Sequence, residues 1–397
     1  MKVAFLTTSF PRFKGDYSGV FILELAKSLI DKGVSVKVIC PNDDMSKERE
    51  LVDGVEVIRF NYFIKRMQKL AYGGGGILEN LRKDRSLYLI LPLFLLSYIR
   101  CVINHIEDSD IIHAHWYPSG VIALISRCFH SIPCVLTVHG SDIHIIKNRY
   151  LKQINRLILK RIDRIITVSE FLKDDVISLG LNSNRVVFIP NGVSVDNRID
   201  CTFSDSKKSE RNIVLFAGSL RKIKAVDTLI KAFQIVLKQR ADANLVIIGE
   251  GPESGRLKAL CETLGIKEHV HFTGAIPPYE VRRWMRQGAL LVLPSLLEGR
   301  GMVIIEAMAE GLPVIGSDIA ALKEIIEDGK TGFLFKTLCH EELSDRILRL
   351  LNDPDLRLSM GINGRKKLME LGLTWDNCAR MHMDLYRSIK GSASMQH

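Results

Sequence analysis

Cysteine is sparse in this chain: eight residues in 397, with no Cys-x-x-Cys pair and no regular spacing. Neither a structural zinc site nor a disulfide scaffold is implied, and reduced thiols in a cytoplasmic setting are the simple expectation. Long apolar runs are missing as well. The nearest approach, residues 87–99, is interrupted by Pro92 and is shorter than the roughly 20 residues a spanning helix needs, so a buried helix is expected there. The N-terminus, Met1-Lys2-Val3-Ala4-Phe5-Leu6, has neither the apolar core nor the small-residue cleavage site of a secretory leader and is expected to be a first strand. No Gly-x-Gly-x-x-Gly follows it, so a nicotinamide dinucleotide fingerprint is not supported. Basic residues are not interleaved with aromatics and form no recognition-helix pattern, so nucleic acid is not an expected partner. No repeat of short period is visible.

What is there describes a globular protein: 47% apolar and 25% charged residues, with a formal net charge of +10. The length favours two domains. The positive charge is uneven. Residues 1–195 hold 26 Lys and Arg against 19 Asp and Glu, and the remainder 29 against 26. Arg149, Lys152, Arg156 and Lys160 step by three or four, which places them on one helix face, with Leu151, Ile154, Leu157 and Ile158 as its apolar counterpart. A solvated helix over a core is the plain reading. Docking on an anionic membrane surface, from the cytoplasmic side, is the functional one.

Short Val/Ile/Leu runs alternate with helical patterns throughout, the mark of a parallel α/β architecture. Strands are expected at 3–7, 35–40, 55–60, 110–113, 133–138, 164–168 and 186–189, then at 213–216, 244–248, 270–272, 290–293, 313–315 and 332–335. Each half therefore has enough strands for its own doubly wound sheet. Residues 1–195 form the first expected domain and 212–372 the second. The polar, serine-rich stretch 196–211 reads as a linker. A helix is expected over 374–389, after a break at Gly372, with Trp375, Met381, Leu385 and Tyr386 packing it.

The most informative stretch is Glu298-Gly299-Arg300-Gly301-Met302-Val303-Ile304-Ile305-Glu306. An apolar strand, a glycine-rich turn and a helix leave backbone N–H groups at the helix N-terminus, which suits a phosphate. The carboxylates of Glu298 and Glu306 can accept hydrogen bonds from sugar hydroxyls. Three other strand ends carry candidates. Gly19 precedes a helix after the first strand, where backbone can approach a phosphate or sugar. His139 follows the strand at 133–138, on the edge where open α/β sheets bind ligands. His113 and His115 have the spacing of a metal pair, but no third ligand is marked, so no metal site is expected. In the second half, Ser219, Arg221, Lys222 and Lys224 follow the first strand and suit a diphosphate, Lys224 lying closest to the helix start. Gly249 ends the next strand, and Ile276 follows the third, where it would flank a base.

Taken in order, these segments resemble the retaining glycosyltransferases of family 4, over nearly the whole chain. The carriers are Glu298–Glu306 with Ala307-Met308-Ala309 following, His139-Gly140-Ser141-Asp142, Ile189-Pro190-Asn191-Gly192-Val193, Gly249-Glu250-Gly251-Pro252, Gly311-Leu312-Pro313-Val314-Ile315 and Asp328-Gly329-Lys330-Thr331-Gly332-Phe333-Leu334. The resemblance implies the GT-B fold, two Rossmann-like domains facing a central cleft, the first binding the acceptor and the second a nucleotide-diphosphate sugar. It implies that residues 373–397 cross back to the first domain. It implies a retaining, metal-independent hexosyltransferase without cofactor, acting on a glycan, lipid-linked or small-molecule acceptor.

By the same resemblance Glu306 binds the donor ribose. Glu298 and the backbone of Gly301, Met302 and Val303 hold the transferred sugar and diphosphate, and Lys224 neutralises the diphosphate. His139 lies near the reacting sugar and Gly19 near the phosphates. Three positions depart from the family. Ser219 stands where Arg is usual, with Arg221 or Lys222 as replacements. Ala225 stands for a glycine, and Arg300 for an aromatic residue that would border the sugar. A catalytically silent nucleotide-sugar-binding subunit and a sugar phosphorylase-like enzyme remain the alternatives.

Overall fold

The structure, a computed structural model, describes residues 1–72, 76–140, 152–195 and 212–394. The expected linker at 196–211 lies outside them, as do Ser141, Asp142, Arg149 and Leu151. The chain forms two compact units, Met1–Gly192 with Trp375–His397, and Val193–Thr374.

The first unit holds an eight-stranded sheet. Its strands are β1 (Lys2–Leu6), β2 (Ser35–Pro41), β3 (Arg49–Val52), β4 (Val55–Phe60), β5 (Ile111–His115), β6 (Cys134–Val138), β7 (Arg164–Thr167) and β8 (Val186–Phe188). The order is β3-β4-β2-β1-β5-β6-β7-β8, parallel except for the β3–β4 hairpin. Side chains alternate across the pleat, and this splits the core in two. Ala4, Leu6, Ile112, Ala114 and Leu136 face one layer of helices: α3 (Leu91–His105), α4 (Tyr117–Ser126), α5 (Lys152–Leu159) and α6 (Glu170–Ile177), with α2 (Gly76–Lys83) beside them. Val3, Phe5, Val36, Ile111 and Val135 face the other layer, made by α1 (Val20–Ile30) and the last helix of the chain.

The second unit is a six-stranded, all-parallel sheet: β9 (Ile213–Ala217), β10 (Asn244–Ile248), β11 (Val270–Gly274), β12 (Leu290–Leu293), β13 (Val314–Ser317) and β14 (Gly332–Phe335). Its helices are α7 (Val226–Leu237), α8 (Ser254–Thr263), α9 (Pro278–Gln287), α10 (Met302–Ala309), α11 (Ala320–Lys323), α12 (His340–Asn352) and α13 (Pro354–Glu370). The order β11-β10-β9-β12-β13-β14 means the chain builds outward from β9, then returns and builds outward from β12. The two strands meet at a topological switch point, the place in an open α/β sheet where ligands bind, outside the carboxyl ends of the strands. After Thr374 the chain rejoins the first unit as α14 (Trp375–Ser394). Trp375, Ala379, Leu385 and Tyr386 enter the core with α1, and Lys390 pairs with Asp110 at 2.8 Å.

Three expectations change. Strand β3 has no apolar alternation, and its Leu51 is 74% exposed. It forms because Asp53 and Gly54 both take positive φ, 47° and 85°, the hairpin geometry an Asp-Gly pair favours. Residues 87–99 are not simply buried. A 3-10 turn, Arg85–Leu89, leads into α3, which buries Phe94, Tyr98, Cys101 and Val102 but leaves Leu93 and Leu96 in solvent. In α5 the apolar counterpart is misplaced. Asn155 and Leu159 are the buried positions, Asn155 accepting from the Tyr117 hydroxyl at 2.6 Å, while Ile154 and Leu157 are exposed.

Candidate functional site

The switch point of the second unit gathers the candidates from two distant stretches. After β9 the chain turns through Gly218, half-buried Ser219 and Arg221, and exposed Lys222 into a 3-10 turn, Lys222–Lys224. After β12 it runs through Pro294 and Ser295 toward α10. The two loops are stitched together by a bond from the Leu296 N–H to the Ile223 carbonyl, 2.8 Å. Beside it Lys224 Nζ donates to Glu298 Oε1 at 2.6 Å. The same oxygen accepts from Ser295 Oγ at 2.6 Å. Ser295 is fully buried and fixes the carboxylate. The sequence reading missed it, although it stands three residues before Glu298 in the turn that ends the strand.

Gly301 is the residue ahead of α10, in the left-handed region at φ 74°. A Cβ there would lie 2.6 Å from Leu322 Cδ2, so the backbone favours glycine and any other residue would also displace the Leu322 side chain. The turn aims the first N–H groups of α10, those of Met302 and Val303, out of the helix end, where they lack intrahelical acceptors. Arg300, just before, is 5% exposed and donates to Glu324 Oε2 at 3.2 Å. That bond commits a guanidinium nitrogen to bracing the turn against α11. Gly249 leaves β10 with its N–H bonded to the Gly274 carbonyl at 2.9 Å. A Cβ on Gly249 would lie 2.0 Å from the Gly218 oxygen, so the loops after β9 and β10 touch backbone to backbone. Ile276 is half-buried after β11.

Glu306 lies one turn into α10 and is half-buried. Burial pushes its carboxyl up to about 7, with the positive charge of Arg282 pulling the other way. Arg282 and Arg286, on α9, both reach Glu310, at 3.7 and 2.7 Å. That cluster, also missed from the sequence, ties α9 to the far end of α10.

Ala225 caps α7 at φ 45°, ψ 41°. A left-handed alanine costs about 1–2 kcal/mol, and glycine gives back part of that through unfolded-state entropy. Ala225→Gly is therefore expected to stabilise the protein by about 0.5–1 kcal/mol. Urea unfolding reads the difference, and a lowered midpoint would mean that the buried methyl group matters more than the strain.

In the first unit Gly19 and His139 are linked through Phe21. Gly19 precedes α1 with φ 65°. Phe21, two residues on, lies 4.8 Å from the His139 ring, and Trp116 lies 5.0 Å from it. His139 Nε2 is 3.2 Å from His115 Nδ1. The ring is one of a row: His139 and His115 centroids are 5.4 Å apart, His115 and His113 4.3 Å, His113 and His382 5.5 Å. His113 uses both nitrogens, on Tyr386 Oη and Thr137 Oγ1, each at 2.7 Å. Burial drives all four down: His139 to about 3 and His382 to about 4, His113 and His115 well below the usual range. His139 is thus neutral near pH 7 and can exchange hydrogen bonds but not supply positive charge. Among the described residues no group of three or more His, Cys, Asp or Glu is arranged to hold a metal ion.

Comparison with known proteins accounts for both halves. The profile of Glycosyltransferase Family 4 matches residues 18–197, and that of Glycosyl transferases group 1 matches 199–367. The chain is 32% identical over 289 residues to an uncharacterised glycosyltransferase of Methanocaldococcus jannaschii, covering 71% of this chain and 76% of that one. It is 26% identical over 407 residues to the D-inositol 3-phosphate glycosyltransferase of Corynebacterium urealyticum, covering 94% and 92%. Among solved structures, sucrose-phosphate synthase from Thermosynechococcus elongatus superposes with a TM-score of 0.79 at 21% identity, over 99% of this chain and 100% of that one. That likeness carries the fold, two Rossmann-like domains of the GT-B type.

Proposed function

The chain belongs to the family 4, group 1 glycosyltransferases, and from that premise we propose that it moves a hexosyl group from a nucleoside-diphosphate sugar to an acceptor hydroxyl with retention at the anomeric carbon. The observation that carries the reading is the switch point of the second unit. A lysine, a carboxylate and the free amides of a helix N-terminus converge there. The donor diphosphate takes the amides of Met302 and Val303 and the charge of Lys224, with Arg221 or Lys222 standing in for the arginine replaced by Ser219. Gly249 lets backbone approach closely, Ile276 borders the base, and Glu298, held by Ser295, accepts from the sugar hydroxyls.

When the bond from the anomeric carbon to the phosphate oxygen breaks, negative charge grows on the leaving diphosphate. Lys224 and the helix amides stabilise it as it forms. The acceptor oxygen bonds the same face of the anomeric carbon, and its proton passes to the leaving phosphate oxygen. No cofactor takes part in this scheme. Neutral His139 serves the acceptor bound by the first unit as a hydrogen-bonding group, and Gly19 is kept as a place where backbone can approach a phosphate. The first unit binds the acceptor, a glycan, a lipid-linked sugar or a small polyol. No described helix is long and apolar enough to cross a membrane, and contact with a membrane surface on this reading is peripheral.

Glu306 supplies the test. As the acceptor of the ribose hydroxyls it binds as the carboxylate, and Glu306→Ala should weaken the donor by about 1.5–3 kcal/mol. Because burial holds the free carboxyl at about 7, affinity should be about tenfold weaker at pH 6 than at pH 8. Titration calorimetry with an intact nucleotide sugar, whose diphosphate has no proton to gain in that range, measures both. Unchanged affinity in the folded variant would remove Glu306 from the donor site. Release of nucleoside diphosphate from the donor, followed alongside, tests the transfer reading itself.

A further inference from the structure

The two helix layers of the first unit differ in what they show to solvent. On the α1 and α14 side no large apolar residue among the described helix residues is exposed. On the other side three neighbouring elements expose them. Leu93 and Leu96 of α3 are 44% and 64% exposed, and Leu89, just ahead of the helix, 82%. Phe129, three residues past α4, is 67% exposed, and Ile154 and Leu157 of α5 are 55% and 61%. All three elements belong to one layer: α3, α4 and α5 share a core cluster, and the Tyr117–Asn155 bond joins α4 to α5. The spacing of Leu93, Leu96 and Arg100 sets them in line on one helix face.

The charge around these residues has one prevailing sign. Arg82, Lys83, Arg85 and Arg100 are exposed about α3, and none of them forms an ion pair among the described residues. Lys152, Lys160 and Arg161 are exposed about α5. The sequence had offered Arg149, Lys152, Arg156 and Lys160 as a basic face. Arg149 is outside the described residues, and Arg156 packs over Gly180, its Nη2 2.8 Å from where a Cβ there would stand. The exposed cations are therefore spread along the layer rather than gathered on α5.

A recess of about 350 Å³ opens at the carboxyl edge of the sheet, lined by Arg12, Lys69 and Lys83 against Asp43, Asp44 and Asp84. Leu87 lines it, and the next two residues are the exposed Tyr88 and Leu89. One 3-10 turn thus joins a recess with charges of both signs to the apolar surface.

We propose that the outer face of the α3–α4–α5 layer docks the protein on an anionic lipid bilayer, with the recess receiving the polar head of a lipid acceptor. The class of acceptor rests on reading the first unit as acceptor-binding; the docking does not. An amphipathic helix lying in the interface sinks leucines below the headgroups while arginine and lysine reach back to the phosphates. Leucines rimmed by cations fit that arrangement. A second copy of the chain would bring cations against cations in a two-fold contact, because such contacts pair identical patches.

The test is flotation of the full chain with vesicles of phosphatidylcholine alone, or with roughly one third phosphatidylglycerol. Binding is expected to the anionic vesicles, at least tenfold weaker to the neutral ones, and lost in high salt. Leu93→Glu with Leu96→Glu, and Ile154→Glu with Leu157→Glu, should each lower partition at least tenfold. All four positions are exposed, so the midpoint of unfolding and donor turnover in solution should stay as in the wild type. Absence of binding to anionic vesicles at low salt overturns the proposal, as does full binding by both glutamate pairs. So does a dimer, seen by light scattering, that those pairs dissociate while vesicle binding is unchanged. Loss of donor turnover with normal vesicle binding would count against the transfer reading and leave the docking surface standing.

Discussion

Lowering the pH from about 7 to about 5.5 is expected to cost the first unit about 4–5 kcal/mol of stability. The cause is the row of His139, His115, His113 and His382. Burial holds each far below its usual range in the folded protein. The unfolded chain takes up protons on these rings from about pH 6.5 downward, while the folded chain does not until it is much more acid. The unfolded state then binds more protons, so stability falls with pH, by about 1 kcal/mol per ring across this interval. Glu306 acts in the opposite direction, since its raised folded value favours the protonated folded state between about 4.5 and 7. It offsets about 1.5 kcal/mol, but in the second unit.

The two units can be read apart by fluorescence. Trp116 and Trp375 report on the first and Trp284 on the second, so Trp284→Phe leaves a probe of the first alone. Urea midpoints should fall steeply on acidification in that variant, and His382→Gln should flatten the fall by about a quarter. A midpoint that does not move between the two pH values would mean the rings take up protons in the folded state.

Replacing Lys224 by alanine should lower kcat by at least about 100-fold, the scale of losing one preorganised charge contact to a leaving group. The effect should fall mainly on kcat and less on KM, because the charge it meets is largest in the transition state. The structure adds a second consequence. Without Lys224 the Glu298 carboxylate, 10% exposed, keeps Ser295 as its partner but loses its counter-charge. Glu298→Gln on top of Lys224→Ala should therefore recover part of any lost stability without recovering kcat. Steady-state kinetics and urea unfolding on the three proteins separate the two roles. A near-normal kcat in Lys224→Ala would move the diphosphate contact to Arg221 or Lys222.

The strands and their alternation with helices were legible because buried parallel strands must be nearly all apolar, and runs such as Val214-Leu215-Phe216 or Leu290-Leu291-Val292-Leu293 admit little else. The turn at Gly301 was legible because a left-handed residue before a helix favours glycine, and the nonapeptide displays it. Strand β3 escaped because it is held by a hairpin turn rather than by a buried face.

What the sequence could not place is whatever depends on which strands become neighbours. Lys224 and Glu298 stand 74 residues apart and meet because β9 and β12 are adjacent at the switch point, an order set by the winding of the sheet. Tyr386 reaches His113 across 273 residues only because the last helix rejoins the first unit. The i, i+2 histidines suggested a metal pair by spacing alone. Tertiary packing gave His113 two hydroxyl partners and buried it with His115 and His382, leaving half-buried His139 at the end of the row. The same holds for the surface. Residues 87–99 read as core by composition, and only the packing of α3 on one face decided which leucines are buried and which face outward. Local composition determines what a segment can become, whereas the partners of a charge or an apolar face are set by topology, through contacts between residues far apart in the chain.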